Sequence, residues 1–252
     1  PPAPLDAVLV CVKARDTAAA VARVAALGGG PTVVVLQNGL GRGEEVARAL
    51  GDPDRVVVGV TTEGATLEGE GRVRHAGRGP TRLAPLTPGG TDRARAVAQR
   101  LRRAGLDAEV AADLDRIVWE KLQVNAAIIA LTGLLGCENG ALLRSSSART
   151  LAQDAAMEVA ALAVRRRVTG EWTPAASARR WEAVAAATAD NTSSTLQDLR
   201  RGRATEVFAI NGAVAGAARE AGLAAPINES LARLVAAAEE LSTLAVRPTA
   251  LA

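Results

Sequence analysis

Tyrosine is absent from this sequence, phenylalanine occurs once, and aromatic residues make up 2% of the whole. No aromatics are interleaved with the basic residues to stack nucleic-acid bases. The net charge of +3 comes from arginines scattered among Asp and Glu, which leaves no phosphate-binding footprint. The longest basic run, Arg165-Arg166-Arg167, reads as a solvated helix face. No nucleic-acid partner is expected. Histidine is almost absent too: His75 stands alone, which argues against a multi-histidine metal site and against a Ser-His-Asp triad. It reads as a structural or exposed residue. The two cysteines, Cys11 and Cys137, belong to no metal-ligand spacing, and isolated thiols in apolar surroundings fit a reducing, cytoplasmic setting. No metal is expected. No apolar run reaches the length of a membrane span and no signal peptide is visible, so no membrane partner is expected either.

The most informative scarcity is lysine. Of 30 Lys+Arg only Lys13 and Lys121 are lysines, leaving 28 arginines. A position that stays Lys amid such a bias points to something Arg cannot supply, because a lysine ammonium has a tunable pKa and can give up a proton. Lys121 lies in Trp119-Glu120-Lys121-Leu122-Gln123-Val124-Asn125. On a helix Asn125 shares its face. An ammonium beside an amide can grip and protonate a carbonyl oxygen. A surface Lys and an ordinary helix Asn are the plainer reading of the same two residues.

The 252 residues, 48% hydrophobic, suffice for one large or two ordinary domains. Ala7–Val12, Thr32–Leu36 and Val56–Val60 are short continuous apolar runs, which reads as strands buried on both faces. Helices are expected between them, from about Asp16 to Ala26 and from about Glu44 to Leu50. The alternation predicts a doubly wound α/β sheet, in which ligands bind beyond the carboxyl ends of the strands. Those ends carry Lys13, Asn38-Gly39 and Thr61 to Ala65. Gly71–Gly77 and Thr81–Pro85 read as antiparallel strands at the sheet edge. A helix over 91–104 and a short strand at Ala108–Val110 follow. After Asp113 every segment has helical spacing. Helices are expected over Trp119–Leu135, Ser147–Val168, Pro174–Thr188, from Thr195, over Thr205–Ala221 and over Ile227–Leu241, with a loose tail after Val246. The expected domains are 1–112, a partial Rossmann-type parallel sheet, and 113–252, all helical. A cleft between them would set Lys121 and Asn125 against the strand ends. Hydride addition to a ketone builds negative charge on oxygen, which an ammonium there would stabilise and protonate.

Several motifs occur in one order along the chain: Val10-Cys11-Val12-Lys13-Ala14; Leu36-Gln37-Asn38-Gly39-Leu40-Gly41; Gly59-Val60-Thr61-Thr62 with Gly64-Ala65; and Trp119-Glu120-Lys121-Leu122 with Val124-Asn125. Asn139-Gly140, Asn191-Thr192-Ser193-Ser194 with Leu196-Gln197-Asp198, and Arg203-Ala204-Thr205-Glu206 with Ile210-Asn211-Gly212 follow. In this order and spacing the chain resembles the ketopantoate reductase (2-dehydropantoate 2-reductase) family. The likeness runs from near the family's third strand to its C-terminus. It implies an NADPH-dependent oxidoreductase that reduces the 2-keto acid 2-dehydropantoate to pantoate, on the route to pantothenate and coenzyme A. It also implies a helical domain of the 6-phosphogluconate dehydrogenase C-terminal type, on which two copies could pair as a homodimer. Lys121 would be the general acid. Asn125, Asn139, Asn191 and Ser194 would hold the substrate. Lys13, Asn38 and Ala65 would line the cofactor side. Glu206 would contact the cofactor and help orient Lys121. From the residues alone, Asn191 and Ser194 read equally well as helix caps, Asn139 as a C-cap, and Glu206 as an ordinary helix glutamate.

Two departures bear on function. Where the family often carries a second Asn one turn after Asn125, this chain has Ile129, followed by Ala130 rather than the common Pro. A related 2-keto acid is then an alternative substrate. The family's opening βαβ unit with its Gly-rich phosphate loop, roughly 30 residues or more, has no counterpart, and the chain opens Pro-Pro-Ala-Pro without Met. The expectations are a missing upstream segment and weak or no NADPH binding by the chain as it stands. The remaining alternative is a non-catalytic homologue that keeps the helical domain for dimerisation.

Overall fold

The structure is a computed structural model that describes residues 5–245. The loose tail expected after Val246 lies outside the described residues. The chain divides into two compact units, Pro1–Val118 and Trp119–Ala252.

The first unit is built on a five-stranded sheet of β1 (Ala7–Val10), β2 (Thr32–Val35), β3 (Val56–Thr61), β6 (Thr81–Pro85) and β7 (Ala108–Val110), in that spatial order. The first three strands are parallel, β6 runs antiparallel to β3, and β7 is parallel to β6. Every residue of β2 is buried, as its unbroken run of β-branched side chains requires. Val33 and Val35 share one face with Val21 and Val24 of α1 (Thr17–Ala25) and Val46 of α2 (Arg42–Leu50). Val34 shares the other face with Val57, Leu83 and the Ala94, Val97 and Ala98 stripe of α3 (Thr91–Arg103). Helices therefore cover both faces, and each fully buried valine contributes roughly 1.5–3 kcal/mol. Gly51, with φ 70°, stops α2 by turning left-handed and donating its N–H to Ala47 O at 2.9 Å.

The glycine-rich alternating stretch departs from expectation. Gly71–Gly77 does not join the sheet edge. Its strand β5 (Arg72–Gly77) pairs with β4 (Gly64–Gly69) in a separate two-stranded sheet, so Gly64 and Ala65 lie in a strand rather than a strand-end loop. Thr81–Pro85 is not an edge either: β6 lies between β3 and β7. Burial decides the difference. β4 is largely exposed, whereas Thr81, Leu83 and Ala84 are buried and suit an interior strand.

The second unit is helical. It holds most of α4 (Leu114–Leu135), then α5 (Ala141–Arg144), α6 (Ser146–Arg165), α7 (Pro174–Ala187), α8 (Ser194–Arg200), α9 (Asn211–Glu220) and α10 (Pro226–Ala245). α4 starts before Trp119, at Leu114, where Asp113 Oδ1 accepts from Arg116 N at 3.0 Å. By length and composition alone α4 could pass for a membrane span, but it carries Glu120 and Lys121 and is mostly buried within the fold. That burial marks it as a core helix. Alanines dominate its packing: Ala126, Ala127 and Ala130 of α4 and Ala152, Ala155, Ala156 and Ala160 of α6 are all buried. Trp181 is the largest fully buried side chain, and its indole N–H donates to Gln153 Oε1 at 2.9 Å. Side-chain caps start α6 (Ser145), α7 (Thr173, with Pro174 at the first position) and α8 (Ser193). α10 is capped from another helix: the Glu158 carboxylate accepts from Ile227 N and Asn228 N, each at 2.8 Å.

The helix expected over Thr205–Ala221 is broken. Thr205 and Glu206 lie outside helix, a 3-10 turn covers Val207–Ala209, and α9 begins only at Asn211. Ile210, at φ −111° and ψ −88°, interrupts the helical path.

Candidate active site

Lys121 and Asn125 are both partly buried and one turn apart on α4. Loss of solvent lowers the Lys121 ammonium from 10.5 to about 8, and the negative charge of Glu206 opposes that shift. Glu206 lies outside helix, unlike the helix glutamate of the plainer reading. It sits at the break before α9, and its neighbour Thr205 donates N–H to Glu239 Oε1 at 2.7 Å while Thr205 Oγ1 accepts from Val207 N at 3.1 Å. The residues between α8 and α9 are thus pinned to α10, and a lysine and a carboxylate far apart in sequence come within electrostatic reach.

Asn139 and Asn191 are also brought together. α4 ends at Gly136, φ 67°, so Asn139 is not itself the C-cap. Asn139 lies in the following turn, buried, with its N–H on Asn191 O at 3.1 Å and Nδ2 on Thr188 Oγ1 at 2.9 Å. Its Oδ1 is buried without a hydrogen-bond partner. Gly140 closes the contact by donating to Ala189 O at 3.0 Å, and a Cβ at this position would come within 2.7 Å of the Ala189 Cβ. Gly140→Ala is therefore expected to push the two turns apart, at a cost of about 1–3 kcal/mol. A lowered urea midpoint with an unchanged slope would register it. The cap of α8 is Ser193, whose Oγ accepts from Leu196 N at 3.3 Å and from Thr132 Oγ1 at 2.8 Å. Neither Asn191 nor Ser194 has the capping role, and Ser194 is exposed on the first turn.

In the first unit Lys13 and Asn38, both partly buried, follow β1 and β2, adjacent parallel strands. Gln37 Nε2 links these two ends by donating to Val12 O and to Thr17 Oγ1, each at 2.8 Å. Gly39 and Gly41, at φ 98° and 73°, open the following turn in a way only glycine adopts easily. Ala65 is exposed on β4 opposite His75, and His75 Nε2 pairs with the Glu63 carboxylate, holding that carboxyl below its usual range. His75 is exposed, as expected.

A set of buried polar groups around α4 escaped the sequence reading. Gln123, fully buried, donates to Ala156 O at 3.0 Å and Ser177 Oγ at 2.9 Å, and accepts from Arg180. Arg180 also pairs with Glu120 at 3.6 Å and lies 5.1 Å from the Trp172 ring centre. Glutamine in a helix carries no periodic signal of burial, so nothing in the sequence separated Gln123 from a surface residue.

An α/β unit with partly buried polar residues at its strand ends, and a helical unit with a lysine of depressed pKa beside a carboxylate, describe a dehydrogenase-type oxidoreductase architecture. Residues 113–239 match the family model "Ketopantoate reductase PanE/ApbA C terminal", and residues 1–88 match "Ketopantoate reductase PanE/ApbA". The 2-dehydropantoate 2-reductase of Halobacterium salinarum is 38% identical over 234 residues, 93% of this chain and 76% of the relative. A crystal structure of a ketopantoate reductase from Ralstonia eutropha JMP134 superposes with a TM-score of 0.83 at 28% identity, covering 94% of this chain and 77% of that one. D-mandelate dehydrogenase, solved with NADH and anilino(oxo)acetate, superposes with a TM-score of 0.88 at 26% identity, covering 95% and 78%. The chain belongs to the ketopantoate reductase family.

Proposed function

We propose that this protein is a nicotinamide-dependent oxidoreductase of 2-keto acids that reduces 2-dehydropantoate to pantoate, with Lys121 as the proton donor. The observation that carries the reading is Lys121 itself: a partly buried lysine with its pKa near 8 and Glu206 within electrostatic reach, in a member of the ketopantoate reductase family. At neutral pH such a lysine is mostly protonated, yet it releases its proton far more readily than an exposed one.

NADPH, when bound, supplies the hydride. Lys13 and Asn38, at the ends of adjacent parallel strands, offer an ammonium and an amide where this fold binds ligands, and the Gly39 and Gly41 turn lets backbone come close to a cofactor. In this proposal Ala65 adds to the cofactor side. As hydride reaches C2 of the substrate, negative charge gathers on its carbonyl oxygen. The Lys121 ammonium stabilises that charge and passes its proton to the oxygen, leaving a hydroxyl and a neutral amine that solvent reprotonates. Asn125 holds the carbonyl oxygen beside Lys121. The unpartnered Asn139 Oδ1 accepts from the substrate hydroxyl, which offsets the roughly 1–3 kcal/mol of leaving it empty. Asn191 and Ser194 complete the substrate side, and Glu206 keeps Lys121 charged and contacts the cofactor. The reaction belongs on the route to pantothenate and coenzyme A, in the cytoplasm, with two copies paired through the helical unit.

One observation favours a second reading within the same chemistry. Ile129, one turn beyond Asn125, is buried and apolar. A related 2-keto acid with less need of polar contacts would suit it, in line with the D-mandelate dehydrogenase likeness. Oxidation of NADPH and NADH should be followed with 2-dehydropantoate, branched 2-keto acids and aryl 2-keto acids in parallel. Highest kcat/KM with 2-dehydropantoate and NADPH supports the first reading, and a preference for another 2-keto acid supports the second. No oxidation with any of them would remove both and leave a non-catalytic homologue.

A further inference from the structure

We infer that Asn211 is a positioning residue that sets the spacing between Lys121 and Glu206 by clamping the middle of α4 to the segment carrying the glutamate. Its side chain is completely buried. One N–H of the Asn211 amide donates to Ala126 O, the carbonyl next after Asn125 on α4, at 3.0 Å. The other donates to Asn228 Oδ1 on α10, also at 3.0 Å. Both donors are thus committed and the amide cannot turn, while its Oδ1 is buried without a partner. A buried acceptor left empty costs roughly 1–3 kcal/mol, so the site spends stability on this orientation.

The clamp reaches further on each side. Asn228 Nδ2 donates to Ala155 O at 3.0 Å and to Glu158 Oε2 at 2.7 Å, which anchors it to α6. Asn211 opens α9 directly after the kink at Ile210, five residues beyond Glu206. The Thr205 N–H on Glu239 holds the other side of Glu206. The chain from Glu206 to Asn211 is therefore tied down at both ends, and the Asn211 amide ties it to α4. Other charged side chains of this unit that are at least partly buried have their own places. Glu120 pairs with Arg180 of α7, Glu182 with Arg149, Glu158 holds the start of α10, and Glu239 holds Thr205. Asp198 of α8 is buried, and Glu206 is the charge that acts on Lys121.

The inference deepens the proton-donor reading, but its test stands apart from turnover. The chain has two lysines, so lysine labelled with ¹³C at Cε yields two side-chain signals, assigned with Lys13→Arg. In Asn211→Leu the Lys121 titration should move down, in the same direction as in Glu206→Gln. In the Asn211→Leu/Glu206→Gln double variant it should move no further than in Glu206→Gln alone, because both changes remove one interaction. If Asn211→Leu does not fold, Asn211→Ser is titrated with the same outcomes. Leu83→Ala, in the sheet core of the first unit, should lower stability without moving the signal. A Lys121 titration unchanged in the Asn211 variant, or a full additive shift in the double variant, overturns the inference. Neither result touches the proton-donor reading, which fails instead if Lys121 in the unaltered chain titrates as an ordinary lysine.

Discussion

Lys121→Ala is expected to lower kcat for 2-keto acid reduction by roughly 10²–10⁴-fold, with KM for the keto acid changed only a few-fold. The split follows from when the interaction is made. The ground-state carbonyl is neutral and gains little from an ammonium, whereas the oxygen that receives charge during hydride transfer gains most. Removing Lys121 therefore costs transition-state stabilisation far more than substrate binding. Lys121→Arg should not rescue it, since a guanidinium keeps the charge but does not release its proton near neutrality. The pH profile gives a second handle. The donor must be protonated, so kcat/KM, which reports the free enzyme, should fall as pH rises through about 8, the pKa of Lys121. Steady-state kinetics across that range check both points. An equal loss in kcat/KM with kcat unchanged would assign Lys121 to substrate binding instead.

Lys121→Met is expected to stabilise the protein at neutral pH. Burial lowers the folded-state pKa to about 8 against 10.5 for the unfolded chain. Below about 8 both states hold the proton, and the full penalty of keeping a desolvated charge is present. Between about 8 and 10.5 the unfolded chain keeps a proton that the folded one has lost, so stability rises with pH across that window. Taken whole, the shift corresponds to about 3 kcal/mol, and the partial exposure of Lys121 reduces this to roughly 1–2 kcal/mol. Met fills the same volume without the charge. Its urea midpoint at neutral pH should exceed that of the unaltered protein, and the rise across the alkaline window should vanish. Together with the first prediction, this describes a residue kept for chemistry at a cost in stability.

The strands of the first unit were legible because their chemistry is simple. Unbroken runs such as Thr32–Val35 can only be buried on both faces, and the glycines between them end the elements. Thr81–Pro85 was misplaced because alternation alone does not say whether a strand lies at an edge or inside; the partners that bury Leu83 include Val34 and Val57, which lie well before it in sequence. The placement of Lys121 and Asn125 one turn apart on a single helix was legible from helical spacing. The Glu206 segment read as helix because Thr205–Ala221 has helical composition, and only tertiary ties to α10 and the kink at Ile210 break it. Ser193 and Ser194 are adjacent, and the choice of cap rests on the contact with Thr132, again distant in the chain. The burial of Gln123, Asn211 and Asn228 was not legible, since a polar residue in a helix is ordinarily solvated.

The central claim is that Lys121 is a lysine tuned to give up its proton. Titration of the ε-¹³C-lysine signals tests it most directly, because only Lys13 and Lys121 contribute. The account predicts that the Lys121 signal titrates near 8 and moves lower still in Glu206→Gln. A Lys121 signal that titrates at the ordinary 10.5 and ignores the loss of Glu206 would contradict it.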